Sequence, residues 1–283
     1  MGKKSYALTP ELIQNYLLYQ EEQERSAATI QKYAHDLTEL CQYLDGQPLN
    51  KILLIRWKQK LAETHAPATV NSKLTAVNGY LGYMGWPEMK VKLLKIQKSL
   101  FLDEEKELTR RDYVRLVRTA EQNGKERLSL VIQTICATGI RVSELRFITA
   151  EAVRCGRAEI TNKGKRRIVF LPNQLRQVLK RYMSQQKITA GAVFVTRAGN
   201  PLNRSNIWRD MKAICKSAGV DSAKVFPHNL RHLFARTYYS LEQDLNRLAD
   251  ILGHSNINTT RIYTAESGSV HARQVERMGL VIT

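Results

Sequence analysis

HNLRHLFARTYYSLEQDLNRLADILGHSNINTTRIY, His228 to Tyr263, gathers two histidines, an arginine and a tyrosine into one ordered series: His228, Arg231, His254 and Tyr263. Phosphate chemistry needs such a set, with cationic forks for the non-bridging oxygens, a group to move a proton and a hydroxyl nucleophile. His228 and Arg231 stand three apart, so on a helix both project from one face. The apolar run LNRLADIL then predicts a second helix ending on Gly253, a favourable C-terminal residue, and His254 follows at once. Tyr263 comes nine residues later in a Thr-rich segment that predicts a short helix or turn. A second arginine is needed to complete a phosphate clamp.

That arginine is upstream, in CATGIRVSELRFIT, Cys136 to Thr149. A helix ending near Ala137, a turn at Thr138 and Gly139 and a new helix restarting at Arg141 fit this stretch. Its apolar residues, with Leu130, Val131 and Ile135 before them, bury both helices and leave Arg141 at a helix N-terminus. The macrodipole disfavours a cation there unless an anion shares the site, and a phosphate is the expected anion.

Together, ATGIRVSEL, HNLRH and LGHSNINTTRIYT resemble the tyrosine recombinases, the phage-integrase and Xer-type family, in motif order and spacing across the whole chain. The resemblance implies that Arg141 and Arg231 clamp the phosphate, that His254 donates to it, that His228 assists proton movement and that Tyr263 is the nucleophile. Lys163, in ITNKGKRRIVFLP, matches the lysine of the family's β-hairpin and would protonate the departing 5′ oxygen; Lys165 lies two residues on, in a hairpin about one residue shorter than in many relatives. The implied reaction forms a 3′-phosphotyrosyl enzyme with no cofactor, neither ATP nor a metal ion.

Composition agrees with a polyanionic partner. The chain of 283 residues carries a formal charge of +18, which points to nucleic acid or an anionic membrane surface. Residues 1–100 hold 13 basic and 9 acidic side chains, net +4, whereas residues 101–283 hold 31 and 17, net +14, so most of the field surrounds the proposed chemistry. No apolar run approaches a membrane span and the N-terminus lacks a signal-peptide core, so a cytoplasmic protein is expected. Cys41, Cys136, Cys155 and Cys215 are scattered without a CxxC pair and predict neither a disulfide framework nor a zinc site. His228 and His232 stand four apart as helical metal ligands do, but HNLRH lacks the glutamate of HExxH and no third ligand is evident; His232 reads as a support near Arg231.

Along the chain, Thr9 and Ser26 predict helix N-caps, Gly46 a stop, and ILLIRWKQKLAE and ATVNSKLTAVNGYLGYMG two further helices. The expected layout is a helical core-binding domain over 1–98, a linker over 99–107 and a catalytic domain with a C-terminal tail over 108–283. The fold class is mainly α with a small antiparallel β-sheet in the catalytic domain, and the resemblance implies a two-domain, C-shaped DNA clamp. Lys51, Arg56, Lys58 and Lys73 could follow a DNA backbone, as could Lys165, Arg166 and Arg167 at the hairpin tip; a solvated surface is the alternative for each. Helices are expected over 173–186 and 203–219, a VFV strand lies between them, and Trp208 reads as core packing while Arg209 and Lys212 could reach DNA.

The resemblance further implies double-stranded DNA with inverted repeats as the partner, a homodimer on each site, a tetramer at synapsis, an accessory directionality factor, and a tail that docks in a neighbouring subunit or on its own. Integration and excision of a mobile element is the expected role. Xer-like dimer resolution, DNA inversion, a type IB topoisomerase and a non-catalytic architectural DNA-binding protein are the alternatives. With the first domain beginning near Thr9, no separate arm-binding domain is expected, which favours a simple recombination site.

Overall fold

The computed structural model describes residues 6–96, 104–162, 164–196, 198–263 and 275–278, and the chain divides into two compact units, residues 1–98 and 99–283. In the first unit, α1 (Pro10–Glu22) starts at Thr9, whose hydroxyl accepts from the Leu12 N–H, and α2 (Ala27–Leu44) starts at Ser26, which accepts from Thr29. These caps satisfy amide donors that the first helical turn leaves without partners. α3 (Lys51–Thr64) is capped by Asn50, and α4 (Pro67–Tyr83) opens on a proline, which has no N–H to lose. α4 packs against the other three helices and contributes buried Val70, Leu74, Val77 and Tyr80 to a core that includes Leu37, Leu40, Leu54 and Trp57.

Three of the basic positions of this unit are engaged by its own fold. Lys51 donates to the Glu88 and Lys90 carbonyls and Lys58 to the Lys92 carbonyl, fastening the segment after α4. Lys73, expected on a DNA-facing surface, is instead 6% exposed and bonded to Glu39, with Asp36 3.8 Å away. A lysine is retained in such an interior only when its charge is paired. Arg56 is exposed.

The second unit opens with a 3-10 turn at Glu104–Lys106 and α5 (Arg110–Gln122), begun by a reciprocal capping box between Thr109 and Asp112. Of the expected linker, residues 99–103 lie outside the described residues, and Glu107 belongs to the packed unit through contacts given below. α6 (Glu126–Thr138) buries Leu128, Leu130, Val131, Ile132 and Ile135 and touches α5, as well as α8, α9 and α11, whose ranges follow. A helix apolar on nearly every side is a core helix. Next come a 3-10 stretch at Val142–Phe147, α7 (Ala150–Cys155), and the antiparallel pair β1 (Arg157–Asn162) and β2 (Lys165–Phe170), in which Ile160 faces Arg167 and Asn162 faces Lys165. Gly164, with φ +75°, helps close the hairpin.

α8 (Asn173–Gln185) follows, then α9 (Arg204–Lys212) and α10 (Cys215–Ala218), where a single helix over 203–219 was expected. The expected VFV strand is reduced to an isolated bridge between Val195 and Pro201, with Val193 and Phe194 buried. Trp208 is not core: it is 49% exposed, and the Lys212 ammonium lies 5.4 Å from its ring centre. The chain then forms α11 (Pro227–Glu242), α12 (Leu245–Leu252) and two 3-10 turns at Ile257–Thr259 and Arg261–Tyr263. Of the expected tail, only residues 275–278 are described, with Val275 and Met278 exposed. No helix among the described residues is long and apolar enough to cross a membrane.

Candidate active site

Arg231 sits in the first two turns of α11 and is 1% exposed, the largest fully buried side chain among the described residues. No carboxylate among the described residues bonds to it. Its Nη1 donates to the Gly139 carbonyl at 2.7 Å, and its Nη2 to the Leu252 carbonyl at 2.7 Å and the His254 Nε2 at 2.9 Å. Gly139 and Leu252 end α6 and α12, so the guanidinium rests on the negative poles of two helices. Burial is the main influence pulling its pKa down, to about 10, with Arg141 adding repulsion, while the neighbouring Tyr263 hydroxyl pulls the other way. At neutral pH the group remains a cation.

Gly139 makes this approach possible. Its φ is +65°, and a Cβ there would lie 2.4 Å from Cδ1 of Phe234 on α11. Any side chain would hold α11 away and carry the Gly139 carbonyl from Arg231. Gly253 does a similar service after α12, where a Cβ would lie 2.7 Å from the Arg167 Nη1.

Arg141 precedes the 3-10 stretch rather than an α-helix, and the anion that shares its site is the protein's own Glu144. That carboxylate, 2% exposed, accepts from the Arg141 backbone N–H at 2.7 Å and the Arg141 Nη1 at 3.0 Å. It also accepts a fork from Arg167, at 3.0 and 2.8 Å. Burial pushes the Glu144 carboxyl up, but the Arg167 bonds, the Arg141 N–H and both positive charges outweigh it and hold the group below the usual range. Arg141 keeps about a third of its side chain open to solvent. Arg167, expected at the hairpin tip, is turned inward from β2, whereas Arg166 is exposed. Lys163 lies outside the described residues, and Lys165 is placed only by its backbone pairing with Asn162.

The hydrogen-bond network assigns the His254 tautomer. An arginine only donates, so Nε2 accepts from Arg231 and Nδ1 carries the proton, given to the buried Thr260 hydroxyl at 2.8 Å. Burial, then Arg231, Arg141, Arg167 and His228, drive the His254 pKa down to about 4. In this state Nε2 is an acceptor. His228 lies in the first turn of α11, and burial, then His232, Arg231, Arg204 and Arg141, bring it to about 4 as well. The rings next to buried Tyr263 are His232, 4.9 Å between centres and nearly perpendicular, and His254, stacked at 6.1 Å. His228 is one step removed, 4.6 Å from His232.

Arg141, Arg231, His228, His254 and Tyr263 therefore share one neighbourhood, and Glu144, Arg167, Thr260, His232 and Glu107 join them. The three-residue spacing of Arg141 and Glu144 was the signal available for the first of these additions. No group of three His, Cys, Asp or Glu among the described residues could hold a metal. The arrangement is an anion pocket with a phenol against its deepest cation.

Comparison with known proteins gives this chain relatives over nearly its whole length. The chain is 28% identical to tyrosine recombinase XerA of Pyrococcus furiosus, with 97% of this chain and 96% of the relative covered. It is 27% identical to tyrosine recombinase XerD of Halalkalibacterium halodurans, over 89% of this chain and 92% of the relative. The fold is similar to that of a lambda integrase tetramer bound to a Holliday junction, with a TM-score of 0.71 at 14% identity, covering 92% of this chain and 78% of that one. The model of the phage integrase family matches residues 106–269, more than half of the chain. The chain therefore belongs to the phage integrase family, the tyrosine recombinases, whose members are DNA strand-exchange enzymes.

Proposed function

We propose that this chain is a site-specific DNA recombinase that cuts and reseals DNA through a 3′-phosphotyrosyl intermediate at Tyr263, integrating and excising a mobile element from the cytoplasm. The observation that carries the reading is the buried Tyr263, stacked on His254 beside Arg231, a cation held by two carbonyls and bonded to no carboxylate among the described residues. Arg231 and the partly open Arg141 take the non-bridging oxygens, where preorganised donors are worth roughly 3–4 kcal/mol each to the transition state. His228 adds to the phosphate side at the N-terminal turn of α11, where backbone N–H groups favour an anion. His254, fixed by Thr260, orients Arg231. Lys163, by the family resemblance, protonates the leaving 5′ oxygen.

Residues 1–98 are the core-binding domain, 99–107 the linker and 108–283 the catalytic domain in this reading. The partner is double-stranded DNA with inverted repeats, bound by a dimer at each site and a tetramer at synapsis, with an accessory directionality factor. Similarity to XerA over nearly the whole chain favours Xer-like dimer resolution as the second reading. Sequencing the flanks of the gene separates the two: repeated junctions beside mobility genes support integration, and a solitary chromosomal gene supports resolution.

The chemistry is tested with nicked suicide duplexes built from those flanks, in EDTA, comparing the natural protein with Tyr263→Phe. An SDS-resistant protein–DNA adduct formed by the first and absent from the second is expected. Tight DNA binding without adduct from either protein would leave only an architectural role.

A further inference from the structure

His232 lies one residue beyond Arg231 and one turn beyond His228, and the sequence assigns it only a supporting place. Its contacts are those of a base. Nδ1 bonds to the Glu107 Oε1 at 3.3 Å; a carboxylate accepts, so Nδ1 carries the proton and Nε2 the lone pair. Nε2 is buried and has no hydrogen-bond partner among the described residues. A buried acceptor left in this way is costly, and such groups concentrate where catalysis uses them. The same ring packs edge-on against Tyr263 with 4.9 Å between centres.

The neighbouring charges favour a proton arriving there. Glu107 stands between His232 and Arg236, whose Nη2 is 3.3 Å from Oε2 and is itself anchored on the Leu108 carbonyl. Burial raises the Glu107 carboxyl, but the bond from His232 and the charge of Arg236 prevail and hold it below the usual carboxylate range. Against the proton stand His228 and Arg231 on the same helix; Tyr263 supplies it. The other two imidazoles are poor acceptors, since both titrate near 4 and the His254 Nε2 is occupied by Arg231.

We infer that His232, oriented by Glu107, takes the proton of the Tyr263 hydroxyl during attack on the phosphodiester and returns it on resealing. The inference rests on the reading of Tyr263 as nucleophile. The Oη–H bond breaks as Nε2–H forms; the Oη–P bond forms as the P–O5′ bond breaks, and the 5′ oxygen takes a separate proton from the acid on the leaving-group side. The Glu107 carboxylate stabilises the imidazolium, the service a carboxylate renders to a catalytic histidine elsewhere. On resealing, each transfer runs backwards.

The test is single-turnover cleavage of the nicked suicide duplex between pH 5.5 and 9, with DNA affinity measured alongside by fluorescence anisotropy. His232→Gln is expected to bind DNA normally but to cleave roughly 10²- to 10⁴-fold more slowly near neutrality, with a rate that climbs with hydroxide instead of levelling off. Glu107→Gln is expected to cost less and to shift the rising limb to lower pH, because the imidazolium loses its counter-charge. Free imidazole should restore His232→Ala in proportion to its basic form. A 5′-bridging phosphorothioate, which relieves the leaving group of its need for an acid, should restore neither variant. Natural pH profiles in both variants, or rescue by the thiol leaving group, would overturn the inference while leaving Tyr263 as nucleophile. An absent adduct with the natural protein would overturn both readings together.

Discussion

Glu144→Gln isolates the carboxylate that holds two active-site arginines. The natural side chain accepts four bonds: from the Arg141 N–H and the Arg167 Nη2 on one oxygen, and from Arg141 Nη1 and Arg167 Nη1 on the other, at 2.7–3.0 Å. Glutamine keeps one acceptor oxygen, so in either orientation its amino group confronts two donors. Two charge-assisted bonds, about 1.5–3 kcal/mol each, are lost in a site that is 2% exposed. The expected destabilisation is about 3–5 kcal/mol, the range for breaking a buried ion pair, or roughly 10 °C in the melting of a unit this size. Glu144 is held below the usual carboxylate range, so its contribution is present above that range and lost as pH falls through the lowered value. The two proteins should therefore converge in acid. Cleavage by the folded variant should fall about a hundredfold as Arg141 loses its tether. Urea denaturation at pH 7 and pH 3 with single-turnover cleavage measures all three effects. A variant within about 0.5 kcal/mol of the natural protein at pH 7 would refute the reasoning, since it would place the arginines' support elsewhere.

Gly139→Ala should destabilise the second unit by about 3 kcal/mol, from about 1–2 for a left-handed non-glycine residue plus displacement of Phe234; a loss under 1 kcal/mol in urea would count against it. Because the His254 pKa is depressed from 6.5 to about 4 by burial and the surrounding arginines, its contribution is fully present above pH 6.5 and is lost as pH falls toward 4. Its share of folding stability, about 2–3 kcal/mol, should be lost across that window, and His254→Gln should remove that share while leaving the part due to His228, which is brought to about 4 as well. Lys73→Met should weaken the first unit by about 1–3 kcal/mol, because Glu39 loses its bonded cation, and leave the salt dependence of DNA binding alone. Arg56→Gln should do the reverse, reducing the salt slope by about one; a matching slope change in Lys73→Met would contradict its burial.

Much of this was readable in advance because it is local. The caps at Thr9, Ser26 and Thr109 and the stop at Gly253 depend on residues within one turn. So does the common face of His228 and Arg231 at the start of α11. What escaped depends on chain segments that meet only after folding. Arg167 reaches Glu144 across 23 residues, Glu107 reaches His232 across 125, and Lys73 finds Glu39 on another helix. In the unfolded sequence these read as a basic turn, a linker residue and a surface lysine. The break between α9 and α10 escaped because no proline or glycine marks it, and the pattern around Trp208 suits either a buried or an exposed indole.

The seat of Arg231 has a further consequence. Two of its three acceptors are main-chain oxygens at the ends of α6 and α12, separated by more than a hundred positions in the sequence. No side-chain exchange can delete a carbonyl, so apart from the bond to His254 point mutation reaches this seat only by moving a helix. If α12 swings away, the guanidinium forfeits the Leu252 oxygen, and His254, which follows α12, leaves with it. The pocket is thus assembled by how two helix ends meet, and the cation is fully seated only while both are in place.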